Sequence, residues 1–131
     1  MRIAVGSDDL KTIRSGHFGE SKYYKIFQIE DGKILQTEVR ENVYLKNANG
    51  EHRHGEAKNI MQLLRDCDVF LARSMGMHSI PKLIAKGVQP VITKETDIEQ
   101  TVAKYLNGEI SSFRCFDPKT QKFTPCTERP E

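Results

Sequence analysis

A histidine in a glycine-flanked loop is the first residue whose type and setting could do chemistry. His17 stands between Gly16 and the pair Phe18-Gly19, in a polar stretch that follows an apolar N-terminal run. Glycine lets a backbone approach a ligand closely, and a neutral imidazole is a common ligand of transition metals. We therefore predict that His17 and Gly19 bind a ligand. The alternative is that His17 only hydrogen-bonds the loop into shape.

A second candidate is the His-x-His pair formed by His52, Arg53 and His54, which precedes a segment with helical spacing. Alternate residues of an extended segment point to opposite faces, so the two imidazoles chelate one ion only if the backbone turns. Arg53 and the N-terminus of the following helix would attract an anion. We predict binding by all three residues, and a solvated polar loop is the alternative.

The third candidate is the stretch from Arg73 to His78, which follows a short apolar run. Arg73 would balance the charge of an anionic ligand, and His78 would coordinate a metal. Packing in the core is the favoured role of Met75 and Met77, because methionine readily fills gaps between side chains. The predicted metal ligands are thus His17, His52, His54 and His78.

Acidic side chains suggest a different class of function, a metal-dependent phosphoryl-transfer enzyme. Such an enzyme needs several carboxylates that converge on a divalent ion. Asp8 and Asp9 end the first apolar run, but only Asp68 is another acidic residue near a core strand end. We therefore predict that Asp8 and Asp9 are turn residues. Ser-His-Asp, Cys-His and phosphate-loop patterns are also missing from the sequence, so we expect no catalytic residues and no enzyme.

The cysteines indicate a chain with reduced thiols. There are three of them, at positions 67, 115 and 126, with no Cys-x-x-Cys pair. This odd count argues against a disulfide framework and favours a cytoplasmic protein. Cys67 lies between two aspartates that would raise its thiol pKa, so we expect a buried structural residue. We expect Cys115 to be packed and Cys126 to be exposed.

Composition excludes several classes of protein. The chain has 131 residues, about one domain, and 29% of them are charged, a globular composition. Its 20 basic and 18 acidic residues leave a net charge of only +2, so composition does not favour a nucleic-acid partner. No apolar run reaches the ~20 residues that cross a bilayer, and no signal peptide is recognisable. We expect neither membrane nor nucleic-acid partners.

The elements that must position these residues alternate between strand and helix. Apolar and β-branched runs predict five strands, at 2–6, 23–29, 33–41, 69–72 and 88–92. Helical spacing predicts three helices, over 55–65, after Ser79 and after a capping box at Thr96. We therefore predict an α/β fold in a single domain, with a mixed five-stranded sheet and helices on both faces.

Three smaller expectations concern the edges of this sheet. Alternation in the third strand places Leu35, Thr37 and Val39 on one face, and we expect the other face to be exposed to solvent. Pro90 suggests an edge position or a strand start. At the C-terminus we expect 109–117 to pack and 122–131 to be loose.

Taken in order, these pieces resemble the dinitrogenase iron–molybdenum cofactor biosynthesis family. The resemblance rests on MRIAVGSDD, on SGHFGESKYYKIFQIEDGKI (15–34), on the segment 54–91 and on TDIEQTVAKYLNGE (96–109). Its most specific part is His17-Phe18-Gly19 followed by an aromatic strand and an Asp-Gly hairpin. The stretch Arg73-Ser74-Met75-Gly76 departs from the family, in which many members carry a glycine-rich turn. The family includes NifX-type proteins and the C-terminal domain of NifB.

The resemblance implies a ribonuclease H-like, three-layer domain over residues 1–109, followed by a partly packed extension over 110–131. It also implies a role in nitrogen fixation: the protein would bind, carry or help assemble an iron–sulfur or iron–molybdenum cofactor precursor without catalytic turnover. Its partners would then be the metal cluster and other cofactor-assembly proteins. The alternative is an interaction or regulatory module of the same fold that binds no metal. The oligomeric state is left open.

Overall fold

The computed structural model describes residues 1–44, 57–76 and 79–126, which form one mixed sheet with helices on both faces. The seven strands are β1 (Arg2–Ser7), β2 (Tyr23–Glu30), β3 (Lys33–Glu41), β4 (Val69–Ala72), β5 (Gln89–Thr93), β6 (Phe113–Asp117) and β7 (Lys122–Pro125). The three α-helices are α1 (Ala57–Leu63), α2 (Ile80–Ala85) and α3 (Ile98–Leu106), and a short 3-10 helix spans Phe18–Glu20.

The strand order is β3-β2-β1-β4-β5-β6-β7. The central strands β1, β4 and β5 are parallel, and the outer pairings are antiparallel. The sheet therefore has seven strands, and the prediction of five was wrong. The first five strands were predicted correctly, but the C-terminal residues add a hairpin beside β5. The ribonuclease H-like motif and the domain boundary near residue 109 stay predictions.

Two hydrophobic clusters lie on opposite faces of the sheet, because successive strand residues point to opposite sides. In β4, Val69 and Leu71 join the cluster under α3, whereas Phe70 and Ala72 join the cluster under α1 and α2. The α3 stripe predicted from helical spacing is buried as expected; its members are Ile98, Val102, Tyr105 and Leu106. The fold is thus a three-layer α/β arrangement.

Local sequence signals account for the sharp boundaries of two elements. Asp31 and Gly32 both have positive φ angles, 54° and 74°, as the two-residue turn between β2 and β3 requires. The cap of α3 is Asp97, one residue after the predicted Thr96, and its carboxylate accepts a hydrogen bond from the Gln100 amide at 2.8 Å. Both signals act within a few residues, which is why the sequence reveals them.

The structure refines two expectations about the sheet edges. Pro90 lies near the start of β5, between β4 and β6, so the strand-start alternative is confirmed and the edge alternative was wrong. Both faces of β3 are largely exposed, and the apolar residues Leu35 and Val39 are 59% and 49% exposed. The reason is that β3 is the last strand of the sheet, and neither hydrophobic cluster includes any of its residues.

A disulfide joins Cys115 and Cys126, contrary to the expectation of reduced thiols. An odd cysteine count excludes complete pairing, but it does not exclude one pair. The β6–β7 hairpin brings the two residues together, because Arg114 lies opposite Pro125 and the Cys126 amide donates to the Phe113 carbonyl at 3.2 Å. Cys126 is therefore buried, where an exposed side chain was expected. Residues 122–125 form β7 and are not loose; 127–131 lie outside the described residues.

Within the part of the chain that the structure describes, no helix has the length and hydrophobicity needed to cross a membrane.

Candidate functional site

His17 lies beside the residues that follow β4. The two backbones form a parallel bridge between His17 and Ser74, and the Phe18 amide donates to the Ser74 carbonyl at 2.9 Å. The imidazole Nδ1 lies 3.1 Å from the Ser74 hydroxyl oxygen. This contact orients an otherwise exposed ring and leaves Nε2, on the far side of the ring, directed away from Ser74.

Phe18 anchors the His17 loop in the core. Its buried ring stacks on Phe70 of β4 with centroids 4.8 Å apart, and it also contacts Tyr24 of β2 at 5.0 Å. The Phe18 carbonyl accepts hydrogen bonds from the Tyr24 hydroxyl at 2.8 Å and from the Ser21 hydroxyl at 2.8 Å. Burial raises the pKa of Tyr24, so its hydroxyl stays a donor. His17 is thus exposed on a loop whose next residue is firmly held.

Charged side chains hold the other half of the same loop. The Arg14 guanidinium contacts the Asp8 carboxylate at 2.6 Å and donates from Nε to the His17 carbonyl at 3.2 Å. Asp9 accepts from the Lys11 and Thr12 amides, which lower the pKa of its carboxyl to about 2. Asp8 and Asp9 therefore act as loop and turn residues, as predicted.

A crevice lies directly behind His17, between the loop and the two helices on that face. Its lining is mostly apolar and comprises Phe18, Gly19, Ile60, Met61, Phe70, Met75, Gly76, Ser79 and Leu83. Gly19 is part of this lining, and its predicted role in ligand binding stays a prediction. Met75 is only 9% exposed and belongs to the adjacent hydrophobic cluster, which confirms the packing role predicted for it.

Asn42, the residue that follows β3, contacts the His17 loop. The Asn42 side-chain amide donates to the Ser21 carbonyl at 2.9 Å and to the Gly19 carbonyl at 3.3 Å. The chain leaving β3 therefore starts beside the His17 loop. His52, Arg53 and His54 lie outside the described residues, and so do Met77 and His78. Arg73 is half-buried and adjoins Ser74 in the chain.

Within residues 1–44, 57–76 and 79–126, no three histidine, cysteine or acidic side chains gather as a metal-binding group. Cys67 is buried, and burial together with the Asp66 charge raises the pKa of its thiol to about 12. This confirms the structural role predicted for Cys67, because a thiol of such high pKa is a poor nucleophile at neutral pH.

Sequence reasoning missed the two polar residues that fix the geometry of the site. Ser74 meets His17 only because β1 and β4 are parallel neighbours, a pairing between residues 57 positions apart. Asn42 is 5% exposed and bonds residues more than 20 positions away. An asparagine that follows a predicted strand and begins a polar stretch of the sequence is the one signal that could have suggested its role.

Comparisons with known proteins agree with this architecture. The family model described as dinitrogenase iron–molybdenum cofactor matches residues 1–108. An uncharacterized protein of Methanocaldococcus jannaschii, MJ0580, is 24% identical over 113 residues, which cover 86% of this chain and 92% of that protein. NifX of Rhodobacter capsulatus is 25% identical over 115 residues, covering 82% of this chain and 71% of NifX.

A solved structure shows the same fold. The crystal structure of PH0822 superposes with a TM-score of 0.69 at 18% identity, covering 99% of this chain and all of that chain. The family model accounts for all of the His17 loop and for the turn after β4, and only β6 and β7 lie beyond it. With a match over 108 of its 131 residues, the chain belongs to the dinitrogenase iron–molybdenum cofactor family.

Proposed function

We propose that this protein binds and carries an iron–sulfur or iron–molybdenum cofactor precursor as cargo, without catalytic turnover of its own. Two findings support the proposal: the family to which the chain belongs, and the setting of His17. The single observation that carries it is the 3.1 Å contact between His17 Nδ1 and the Ser74 hydroxyl oxygen. A histidine that binds a metal through one ring nitrogen usually has the other nitrogen held by a hydrogen bond.

In this proposal His17 coordinates the cargo through Nε2. The loop behind it is rigid, because Phe18 is stacked in the core and the His17 carbonyl is held by Arg14. The imidazole itself is exposed, so a cluster reaches it without opening of the fold. A carrier needs to coordinate its cargo through only a small number of side chains. A cluster coordinated by many side chains would be released slowly.

The positive charges of the site would balance an anionic cluster. Arg73 adjoins Ser74, and we propose it as a counter-charge beside His17. His52, His54 and His78 are proposed as further ligands and Arg53 as a further counter-charge. These four assignments rest on the sequence alone.

The test is anaerobic incubation with iron and sulfide, followed by desalting and measurement of bound iron and visible absorption. Wild-type protein should retain iron and show charge-transfer absorption. His17→Ala should lower iron binding at least about tenfold, and Ser74→Ala should also lower it by about tenfold, because loss of an outer hydrogen bond typically costs 10–100-fold in affinity. Ser15→Ala, in the same exposed loop, is the matched control and should bind like wild type.

Stability separates a ligand role from a structural role for His17. Substitution of an exposed loop residue typically changes the free energy of unfolding by only about 0.5 kcal/mol. If His17→Ala unfolds the protein while iron binding by the remaining folded fraction is unchanged, His17 is structural. If the wild type itself retains no iron, the carrier proposal fails and a metal-free interaction module takes its place.

A further inference from the structure

The exposed edge strand β3 carries an apolar surface that no described residue covers. The large hydrophobic side chains that are exposed in the structure all lie in or just after this strand: Ile34, Leu35, Val39 and Val43, with 42%, 59%, 49% and 64% exposure. β3 is nine residues long and pairs only with β2 among the described strands. Long, exposed, apolar edge strands are templates for pairing with another strand.

The opposite edge of the sheet is built differently. It is formed by β7, which has four residues and ends at Pro125, and the chain is then tied to β6 by the Cys115–Cys126 disulfide. Short strands and proline are devices that block edge pairing. Among the described strands, β3 is thus the edge that is open to a partner.

Hydrogen-bond alternation shows which β3 residues face the open edge. The Asn42 amide donates to the Lys22 carbonyl at 2.9 Å, which marks these two residues as a hydrogen-bonding position of the β2–β3 pairing, although the Lys22 amide donates to Asp8. In an antiparallel ladder such pairs alternate with pairs whose N–H and C=O groups point outward. Counting from Asn42, the outward-pointing residues of β3 are Thr37, Val39 and Glu41.

A β-bulge limits this outward ladder at its other end. Gln28 lies opposite Gln36 and Ile29 lies opposite Ile34, so Leu35 is the extra residue of the bulge. A bulge interrupts the regular alternation of the strand that contains it. The regular outward ladder therefore runs from Thr37 to Glu41, and its midpoint is Val39.

We propose that a second copy of this chain pairs with β3, antiparallel and about a two-fold axis at Val39. In this register Val39 meets the partner's Val39, and Thr37 meets the partner's Glu41. Leu35 and the partner's Val43 lie just beyond the ends of this ladder, so these exposed apolar residues come close to each other. The register thus joins the outward hydrogen-bonding groups and the apolar side chains of both copies at once.

Charge complementarity supports the same register. Glu38 lies opposite the partner's Arg40, and Arg40 opposite the partner's Glu38. Within one copy the Arg40 guanidinium already contacts Asp66 at 2.6 and 2.8 Å and Glu38 at 3.1 and 3.2 Å, so the partner's pair would extend an existing network of alternating charges. Opposite charges directly across two strands are favourable, whereas a like-charged pair is unfavourable. The strand is therefore complementary to itself in sequence as well as in hydrogen bonding.

The test uses the fact that residue 39 meets itself across the axis. Sedimentation equilibrium of the full chain, from about 1 µM to about 1 mM, should show a mass that rises from 15.0 kDa toward twice that value, because small interfaces are weak. Val39→Glu and Val39→Lys should each weaken self-association at least about tenfold, since like charges then face each other. An equimolar mixture of the two variants should dimerise again, since the charges become opposite.

Circular dichroism verifies that both variants are folded, and Thr120→Glu, in the exposed turn between β6 and β7, is the matched control that should dimerise like wild type. A wild type that stays at 15.0 kDa up to about 1 mM would overturn the proposal. A dimer that survives Val39→Glu, or a mixture of the two variants that stays monomeric, would overturn it as well.

Discussion

At the scale of single residues, Gly6 of β1 controls how the His17 loop closes. A Cβ atom at this position would lie 2.2 Å from the Ser21 hydroxyl oxygen and 3.3 Å from the Phe18 ring. Ser21 is fully buried and holds the Phe18 carbonyl. The absence of a side chain at Gly6 is therefore what lets the 3-10 helix and its anchor pack against β1.

Gly6→Ala should destabilise the protein by roughly 1–3 kcal/mol, the usual range for an overpacked core position. Ser21→Ala should cost about 1 kcal/mol through its lost hydrogen bond. In Gly6→Ala/Ser21→Ala the Ser21 hydroxyl is gone. The decrease in the free energy of unfolding caused by Gly6→Ala should therefore be smaller in the Ser21→Ala background than in wild type. Urea unfolding of the four proteins measures this coupling. Gly76→Ala, whose added Cβ would lie 4.0 Å from the Ser79 hydroxyl oxygen, is the control. Strictly additive costs would show that the clash is not with Ser21.

Asp66 gives the stability of the protein a predictable pH dependence. The Arg40 guanidinium lowers the pKa of the Asp66 carboxyl from 3.8 to about 2. A carboxyl with a lowered pKa in the folded state stabilises the fold above its unfolded pKa, and that contribution is lost as the pH falls through its folded pKa. The window of loss is therefore about pH 4 down to about pH 2.

Asp66→Asn should lower the free energy of unfolding by about 1 kcal/mol at pH 7, a value reduced for solvent screening because the carboxylate is 38% exposed. The difference in the free energy of unfolding between Asp66→Asn and wild type should become smaller as the pH is lowered from about 4 toward 2. Urea unfolding at a series of pH values measures this change. Asp31→Asn, in the exposed β2–β3 turn, serves as the control. If the difference in the free energy of unfolding does not change with pH, the Arg40–Asp66 ion pair is not its cause.

At the scale of elements, sequence patterns predicted those parts of the fold that depend on neighbouring residues. The α3 stripe and the Asp31-Gly32 hairpin are examples, because period and turn chemistry are local. The C-terminal hairpin was missed, since its strands are short and β7 has no buried residue to reveal an alternating pattern. The meeting of His17 with Ser74 was also missed, because it depends on the strand order, which no local pattern encodes.

The β6–β7 hairpin yields a prediction about thiol chemistry. The chain has three cysteines, two of them in the disulfide, and Cys67 is buried with its pKa raised to about 12. A thiol reagent at neutral pH should therefore label no cysteine in the native protein. It should label Cys67 alone in denaturant, and all three cysteines in denaturant after reduction. Two reactive thiols in the native protein would show that the pair is reduced.

The same hairpin should contribute measurably to stability. The disulfide closes a loop of 11 residues, which corresponds to about 2–3 kcal/mol of lost unfolded-state entropy. Cys115→Ala/Cys126→Ala should lower the free energy of unfolding by that amount in a urea titration. Wild-type protein kept under reducing conditions should match the double variant. If oxidised and reduced wild type unfold at the same urea concentration, the disulfide does not stabilise the fold.

At the scale of the whole molecule, the candidate site around His17 and the exposed edge strand β3 lie in different parts of the sheet. The site lies where the loop after β1 meets the turn after β4, and the open edge lies beyond β2, at β3. Asn42 connects them, because it directly follows β3 and donates to the carbonyls of Gly19 and Ser21. The proposed cargo site at His17 and the proposed pairing edge at β3 are therefore linked through Asn42 but use different residues.

The central claim is that His17 is a ligand of a metal cluster. The most direct measurement is pulsed electron paramagnetic resonance of the cluster-loaded protein, reduced to a paramagnetic state and labelled with ¹⁵N-histidine. We predict a ¹⁵N coupling from a directly bound imidazole in wild type and in Ser15→Ala, with loss of one such coupling in His17→Ala. A loaded wild-type protein without histidine coupling, or an unchanged set of couplings in His17→Ala, would contradict the claim.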